Sequence, residues 1–217
     1  MLNVWLHLHL KSMVMKVKGL SFVQAAVKRL FDLIASLFGF TVTFPIMFVA
    51  WLISSIETRS NGLFIQERVG KQGKVFKVIK IKTMRKVVGI DTTVTSLNDI
   101  RITKSGAFFR KTKIDELPQL WNVLVGQMSF VGPRPDVSGY ADELVDEDQI
   151  ILSIRPGITG PASLKYKGEE EILAQKEDPK RYNDEVIWPD KIKINRSYIV
   201  NYTFLGDLVY IWKTIVG

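Results

Sequence analysis

Asp115 and Glu116 are adjacent carboxylates in the run RKTKIDELPQLWNVLVGQMSFVGPRP, with Arg110, Lys111 and Lys113 just upstream. The spacing predicts a helix from Asp115 towards Val125, with Pro118 in its first turn and Gly126 as its stop. Acids in a first turn sit in the positive field of the helix end and stay ionised, and that field also gathers anionic groups. A carboxylate among cations can bind Mg²⁺, or attack a phosphorus whose charge the cations have neutralised. Acids also favour the first turn of ordinary helices, so the pair alone decides nothing. Arg134, in Gly132-Pro133-Arg134-Pro135, and Arg155, before Pro156-Gly157, sit beside prolines in rigid loops. Such a loop can hold a guanidinium for bidentate phosphate contact, or for a structural salt bridge. Lys80 and Lys82 share a strand face and either reach a phosphate or face solvent. Asp207 stands in an apolar C-terminal segment, where a bare charge is costly, and needs a partner: Lys, Arg or a metal.

What the chain lacks narrows this chemistry. It has no cysteine and two histidines, His7 and His9, both near the start. That excludes a disulfide framework, thiolate metal sites and a multi-histidine centre. Acid, base and nucleophile must come mainly from carboxylates, hydroxyls or Lys. At 217 residues one domain is expected, and with 24% charged and 47% hydrophobic residues the chain is neither disordered nor fibrous. The net charge of +8 is uneven: Glu57 to Lys113 holds 14 Lys and Arg against 4 acids, and Asp136 to Asp190 holds 14 acids against 6 Lys and Arg. The basic half needs an anionic partner: nucleic acid, an anionic membrane surface or a phosphorylated substrate.

Several elements must position these groups. Leu33 to Ile56 is 24 residues without a charge, about 36 Å long as a helix against a bilayer core of about 30 Å. This reads as membrane insertion. Pro45 lies at its midpoint, and basic residues flank it on both sides: Lys11, Lys16, Lys18, Lys28 and Arg29 before, Arg59, Arg68, Lys71 and Lys74 after. A simple span carries basic excess on one side. Basic flanks on both suit a helix that bends at Pro45 and returns, and a kinked ordinary span is the alternative. Lys71-Gln72-Gly73 reads as a hairpin turn before a strand from Val75 to Met84. Val88 to Asn98 reads as a polar loop, Asp136 to Ile151 as an acidic surface helix, and Glu169 to Lys176 as a further helix. From Lys191 to Gly217, aromatic and basic residues alternate on an apolar background, which suits a membrane interface or a core-packed final helix. The fold class is a small, irregular, mixed α/β body on a membrane anchor.

KRLFDLIASLFGF followed by a proline, FIQERVGKQGKVFKVIKIKTM, ITKSGAFFRKTKIDELPQLWNVLVGQMSFVGPRPD and RPGITG occur in this order. The arrangement resembles the bacterial sugar transferase family, the monotopic polyprenyl-phosphate phosphoglycosyl transferases, over about residues 27–217. The resemblance implies transfer of a phosphosugar from a UDP-sugar to undecaprenyl phosphate, with release of UMP and a need for Mg²⁺. It implies that Asp115 attacks the β-phosphorus to form a covalent phosphosugar intermediate, and that Glu116 helps to bind Mg²⁺ or assists the acceptor. Arg110 and Arg134 match phosphate-handling arginines, and Asp207 matches a C-terminal Asp of the family. A proline in the position of Pro45 breaks a re-entrant helix there. The implied layout is a variable extension over residues 1–26, a re-entrant membrane helix over 27–58, and a catalytic domain over 59–217 with a C-terminal membrane-interface segment. That domain would lie on the cytoplasmic face of the bacterial inner membrane, in contact with membrane lipids.

The chain departs from the family pattern in places. Phe44-Pro45 stands where many members have Ser-Pro, and Ile81-Lys82-Thr83-Met84 replaces a common Phe-Arg-Ser/Thr-Met. After RPGITG an Asn-Gly-Arg-Asn-like segment is usual, whereas this chain reads PASLKYKGEEEILAQKEDP. The nucleotide-sugar contacts of that segment therefore do not carry over, and the sugar stays open. The GEEEIL run is either a specificity element or a solvated helix face. Two other readings compete: a membrane-anchored binder of nucleic acid or anionic lipid using Arg59 to Lys113, and a silent scaffold. The basic stretch lacks interleaved aromatic stacking platforms and the acidic half repels nucleic acid, so no nucleic-acid partner is expected. The intact Asp115-Glu116 pair argues against silence. Whether a homodimer forms is open.

Overall fold

The structure, a computed structural model, describes residues 19–87 and 99–217. Most of the expected N-terminal extension and the expected polar loop from Val88 to Asn98 lie outside the described residues. The first described element is a single helix, α1 (Phe22–Thr58), of 37 residues, about 55 Å long. Ser21 starts it with a reciprocal cap: its Oγ accepts from the Gln24 amide at 3.2 Å and Gln24 Oε1 accepts from the Ser21 amide at 2.8 Å. Arg59, in the left-handed region at φ 48°, ends it.

α1 begins earlier than residue 27 and runs unbroken through Pro45, where a break was expected. One proline removes one ladder hydrogen bond, and the turns on either side keep theirs. In the turn before it, Thr41 and Thr43 hydroxyls donate back to the Leu37 and Gly39 carbonyls at 2.8 and 2.7 Å.

A polar stripe of α1 faces the rest of the protein: Lys28, Asp32, Ser36 and Ser54 are buried along with Met47 and Ala50. The outward faces, including Phe22, Ile34, Phe38, Phe44, Phe48, Ile53 and Ile56, are exposed and apolar. An apolar surface of that extent does not face water in a soluble protein. By length and composition α1 is sufficient to cross a bilayer, and it marks the protein as membrane-associated.

Strands β1 (Leu63–Val69) and β2 (Val75–Ile81) form an antiparallel hairpin from Leu63↔Ile81 to Val69↔Val75. Its turn uses positive φ at Gln72 and Gly73, as the Lys71-Gln72-Gly73 spacing predicts. Phe76 and Val78 of β2 pack with Val123 and Met128 into one core cluster.

The expected helix from Asp115 to Val125 is instead three pieces. Helix α2 (Lys104–Thr112) ends at Lys113 in the left-handed region (φ 59°), a 3-10 turn spans Ile114–Glu116, and helix α3 (Gln119–Leu124) follows Pro118. The reversal at Lys113 is why Asp115 lies in a turn rather than at the start of a long helix. Gly126, at φ 84°, closes α3 as expected.

Strands β3 (Ser129–Val131) and β4 (Gly157–Thr159) pair in parallel, giving a second two-stranded sheet. Here two Pro/Gly loops meet backbone to backbone. A Cβ on Gly157 would stand 2.1 Å from the Gly132 amide nitrogen, and one on Gly160 would stand 2.3 Å from the Gly132 carbonyl oxygen. Side chains at either position would force the loops apart. The expected acidic helix from Asp136 to Ile151 is absent; short 3-10 segments at Ala141–Glu143 and Asp146–Ser153 take its place, with Asp146 at φ 53°. Helices α4 (Pro161–Lys165), α5 (Glu169–Ala174) and α6 (Pro179–Tyr182) precede α7 (Trp188–Val200) and α8 (Phe204–Val216). The last two combine both readings of the C-terminal segment. Tyr198, Ile199 and Tyr202 enter the largest core cluster with Val131, Ile150, Ile151 and Ile154, while Leu205, Trp212, Ile215 and Val216 of α8 are exposed. The fold is thus helix-dominant, with two small sheets.

Lys28, Asp32 and Ser54 of the polar stripe dock α1 to the rest of the protein. Lys28 Nζ lies 2.5 Å from Asp207 Oδ2 on α8, and Asp207 also accepts from the Tyr198 hydroxyl at 2.6 Å and the Tyr202 hydroxyl at 3.2 Å. Asp32 Oδ1 accepts from Ser129 Oγ and the Phe130 amide, both at 3.1 Å. Ser54 Oγ donates to the Lys82 carbonyl at 2.5 Å near the other end of the helix. Lys28 and Asp207 are 6% and 2% exposed, so removing one partner leaves a buried charge uncompensated. Lys28→Met is expected to destabilise the folded state by about 3–5 kcal/mol, measured by denaturant unfolding in detergent micelles. A change below about 1 kcal/mol would show that this ion pair is not what fixes α1 to α8.

Candidate active site

The left-handed turn at Lys113 lays Ile114–Glu116 against β2. Asn122, fully buried on α3, fixes that register: its Oδ1 accepts from the Ile79 amide at 3.1 Å and its Nδ2 donates to the Lys77 carbonyl at 2.7 Å. Lys80, next along β2, then meets Glu116, with Nζ 2.8 Å from Oε1. Asp115 is 9% exposed, and its Oδ1 is buried without a hydrogen-bond partner.

Adjacent in sequence, the two acids differ in charge preference. Burial, and then the neighbouring Glu116 charge, push Asp115 up to about 6 against the opposing fields of Lys80, Lys113 and Arg110. Burial also pushes Glu116 up, but Lys80, Arg134 and Lys113 more than reverse this and hold it at about 2. Near neutral pH the turn therefore presents one firmly paired carboxylate and one that is close to protonation.

The structure gathers Asp115, Glu116, Lys80, Arg110 and Arg134 of the expected site residues, together with Lys113. Arg110 donates from Nη2 to Glu170 Oε1 at 3.2 Å. Arg134 is exposed on its glycine-braced loop. The other expected residues lie elsewhere. Lys82 points to Ser60, with Nζ donating to Oγ at 2.9 Å, because it falls beyond the end of β2. Arg155 donates from Nε to the Gly126 carbonyl at 2.7 Å. It shares the C-terminal end of α3 with Arg29, which donates to the Val123 and Leu124 carbonyls at 2.6 and 2.8 Å. Asp207 found its partner in Lys28, and Pro45 lies within α1; neither joins the acid pair.

Two residues not singled out from the sequence adjoin the site. Asp136, at the end of the GPRPD run, is pushed up to about 6 by burial against the fields of Lys191, Arg68 and Arg134. Arg68 on β1 donates to the Pro135 carbonyl at 3.3 Å and so braces the loop that carries Arg134.

Among the described residues no three His, Asp or Glu side chains converge as a metal cage. Mg²⁺ needs no such cage: one or two carboxylates suffice when phosphate oxygens and water complete the shell. Asp115 and Glu116 fit that mode, and the unpartnered Asp115 Oδ1 is an oxygen free to serve. The same oxygen could attack an electrophile held by Arg110, Lys113 and Arg134. Burying this carboxylate is a cost at neutral pH that is relieved on acidification, because its pKa in the fold lies above the usual value. Asp115→Asn is therefore expected to stabilise the ligand-free protein by about 1–3 kcal/mol at pH 7.5, with the gain fading as pH falls from about 6 to 4. Denaturant unfolding across pH checks this, and destabilisation at pH 7.5 would contradict the strained carboxylate.

The description of the bacterial sugar transferase family matches residues 23–217. Among curated proteins, the UDP-glucose:undecaprenyl-phosphate glucose-1-phosphate transferase of Klebsiella pneumoniae is 37% identical over 200 residues, which is 89% of this chain and 40% of that protein. The exopolysaccharide production protein PSS of Rhizobium leguminosarum bv. phaseoli is 35% identical over 206 residues, 90% of this chain and 96% of that protein. The UDP-N-acetylgalactosamine-undecaprenyl-phosphate N-acetylgalactosaminephosphotransferase of Aeromonas hydrophila is 30% identical over 197 residues, 89% of this chain and 44% of that protein. This chain therefore spans less than half the length of the Klebsiella and Aeromonas relatives and nearly all of the Rhizobium one. With the family's sequence matched across the hairpin, the acid turn, both glycine loops and the two C-terminal helices, the chain belongs to the bacterial sugar transferase family, a family of phosphoglycosyl transferase enzymes.

Proposed function

We propose that this protein transfers a phosphosugar from a UDP-sugar to undecaprenyl phosphate, releasing UMP, as a first membrane step of bacterial glycan synthesis. The observation that carries the reading is the buried, unpartnered Asp115 oxygen beside an ion-paired Glu116, ringed by Lys80, Lys113, Arg110 and Arg134. The names of the relatives supply the substrate class. They specify undecaprenyl phosphate with glucose, galactose or N-acetylgalactosamine phosphates, so the sugar itself stays to be found.

In the proposed reaction, ionised Asp115 attacks the β-phosphorus of the donor. A bond forms between the carboxylate oxygen and phosphorus, and the bond to the bridging oxygen breaks, so UMP leaves. A phosphate oxygen of undecaprenyl phosphate then attacks the same phosphorus, and the Asp115–phosphorus bond breaks to release the lipid diphosphosugar and free Asp115. Arg110, Lys113 and Arg134 bind the diphosphate and oppose the repulsion between anionic nucleophile and anionic substrate. Lys80 keeps Glu116 ionised, available to phosphate-bound Mg²⁺. That ion, when bound, would add further neutralisation of the phosphate charge.

α1 supports a re-entrant seating. Its N-terminal third grips α8 and β3 through Lys28 and Asp32, while its C-terminal turns grip Lys82, just past β2, through Ser54, and α2 through Glu57, which accepts from Ser105. The ends of a simple span lie on opposite sides of a core about 30 Å thick. A helix held to one body near both ends is instead suited to having both ends on the same face; α1 runs unbroken through Pro45, so this seating rests on the two docked ends and not on a bend there. The proposed UDP-sugar donor is a cytoplasmic metabolite, which supports a seating of that body on the cytoplasmic face of the inner membrane.

UMP release from a panel of UDP-sugars, with Mg²⁺ and undecaprenyl phosphate, tests the reaction. Activity with one sugar is expected, with Asp115→Asn lowering it at least a thousandfold in a protein that still folds. The nucleophile must be ionised, so the rate should fall about tenfold per pH unit below the Asp115 pKa of about 6. Near-normal rates in the variant would end the covalent mechanism. For the membrane seating, the cysteine-free chain allows single labels at Lys18→Cys and Glu67→Cys. Both should resist a membrane-impermeant thiol reagent in intact cells, and labelling of the first from outside would overturn the re-entrant arrangement.

A further inference from the structure

One cation beside the acid pair, Arg110, and one beside Asp136, Lys191, are engaged by carboxylates from a segment that the proposed reaction does not use. Arg110 donates to Glu170 at 3.2 Å, and Lys191 lies 2.8 and 2.6 Å from the two carboxylate oxygens of Glu169. Both glutamates open α5, the GEEEIL run, in the stretch where the chain departs from its family's usual sequence. Their neighbour Glu171 is exposed and forms no ion pair among the described residues. Arg110 is not an incidental surface arginine, since its field reaches Asp115 and opposes the upward shift of that carboxyl. An anion bound at Asp115 through Arg110 must therefore take the guanidinium from Glu170.

We propose that Glu170 is a specificity-determining residue that competes with the ligand's diphosphate for Arg110 and so sets the affinity of the site for anions. The contact is a single hydrogen bond between half-exposed groups, of the kind that contributes less than about 1 kcal/mol. A diphosphate displaces it readily, because it brings more charge and can meet the planar guanidinium with two oxygens. A monophosphate brings less charge and gains less from the exchange. The competition thus favours entry of a diphosphate donor and departure of a monophosphate product, after which Glu170 returns to Arg110. The link to donor and product rests on the transfer reading above; the competition for Arg110 does not.

The test uses the full chain in lipid nanodiscs and inorganic pyrophosphate as probe, with affinity measured by calorimetry at low ionic strength. Glu170→Gln is expected to tighten pyrophosphate binding about two- to fivefold. Glu171→Gln, which removes the same charge from the same helix, is expected to leave it unchanged. The difference should shrink as salt is added. Equal tightening in both variants would reduce the effect to net charge and overturn the proposal, as would no tightening in Glu170→Gln or no pyrophosphate binding by any form. If binding follows the expected pattern but no UDP-sugar is turned over, the transfer reading fails and the competition stands. If turnover occurs and Glu170→Gln leaves the donor KM unchanged, the transfer reading stands and the competition fails.

Discussion

Two adjacent carboxylates in one poorly solvated turn repel each other, and unequal sharing of the nearby cations resolves that repulsion. Lys80 sides with Glu116, at 2.8 Å, and Asp115 is left buried with one oxygen unpartnered. That asymmetry depends on parts distant in sequence. The left-handed Lys113 turns the chain, Asn122 locks α3 to β2, and the hairpin register then brings Lys80, rather than Lys77 or Lys82, opposite the turn. Shifting β2 by one residue would send Lys80 to the other face. The pair would then compete for Lys113, Arg110 and Arg134.

α1 addresses a different constraint, since in the proposed reaction a site that joins a water-soluble donor to a lipid acceptor must sit where both phases meet. The helix presents apolar residues outward and buried polar ones inward. Lys28, Asp32, Ser36 and Ser54 would be expensive in lipid, which fixes the rotation of the helix about its axis. Turning it would expose an ammonium and a carboxylate to hydrocarbon. The polar stripe and the apolar faces thus specify one seating together, and α8, with its own exposed Trp212 and Ile215, extends the same surface.

Much of this was legible in the sequence because it is local. The hairpin turn, the apolar run, the glycine stop after α3 and the Pro/Gly loops follow from residue types a few positions apart. The acid turn was found but misread as a helix start, since nothing in Lys113 itself announces positive φ in a non-glycine residue. The acidic stretch from Asp136 to Ile151 reads as a helix by composition, yet the chain there is short 3-10 turns tied to the core by Ile150 and Ile151. Arg155 was read as a phosphate contact or a structural salt bridge, and Asp207 was recognised as needing a partner. Their partners, the Gly126 carbonyl just past α3 and a lysine on α1, lie 29 and 179 positions away in sequence. No spacing rule reaches that far, whereas the family resemblance identified the acid pair by recurrence of a long motif.

The site's two kinds of anion-handling part differ in rigidity. Arg134 rides on a loop whose Gly132 is pressed against Gly157 and Gly160 so closely that no side chain fits, and Arg68 bonds the same loop from the hairpin. That guanidinium is placed by backbone packing, the least adjustable contact in the fold. Arg110 is placed on a helix end, but its free valence is held by Glu170, an exposed side chain on the six-residue helix α5 that touches the site through ion pairs. In the proposed reaction, contacts of the first kind define where a phosphate must lie for Asp115 to reach it, and they tolerate little change. Contacts of the second kind can be rewritten by a few substitutions without disturbing the core, because none of the α5 residues is buried. Variation in what is transferred is therefore expected to concentrate in α4 to α6, while the acid turn, the hairpin and the glycine loops keep the geometry of transfer.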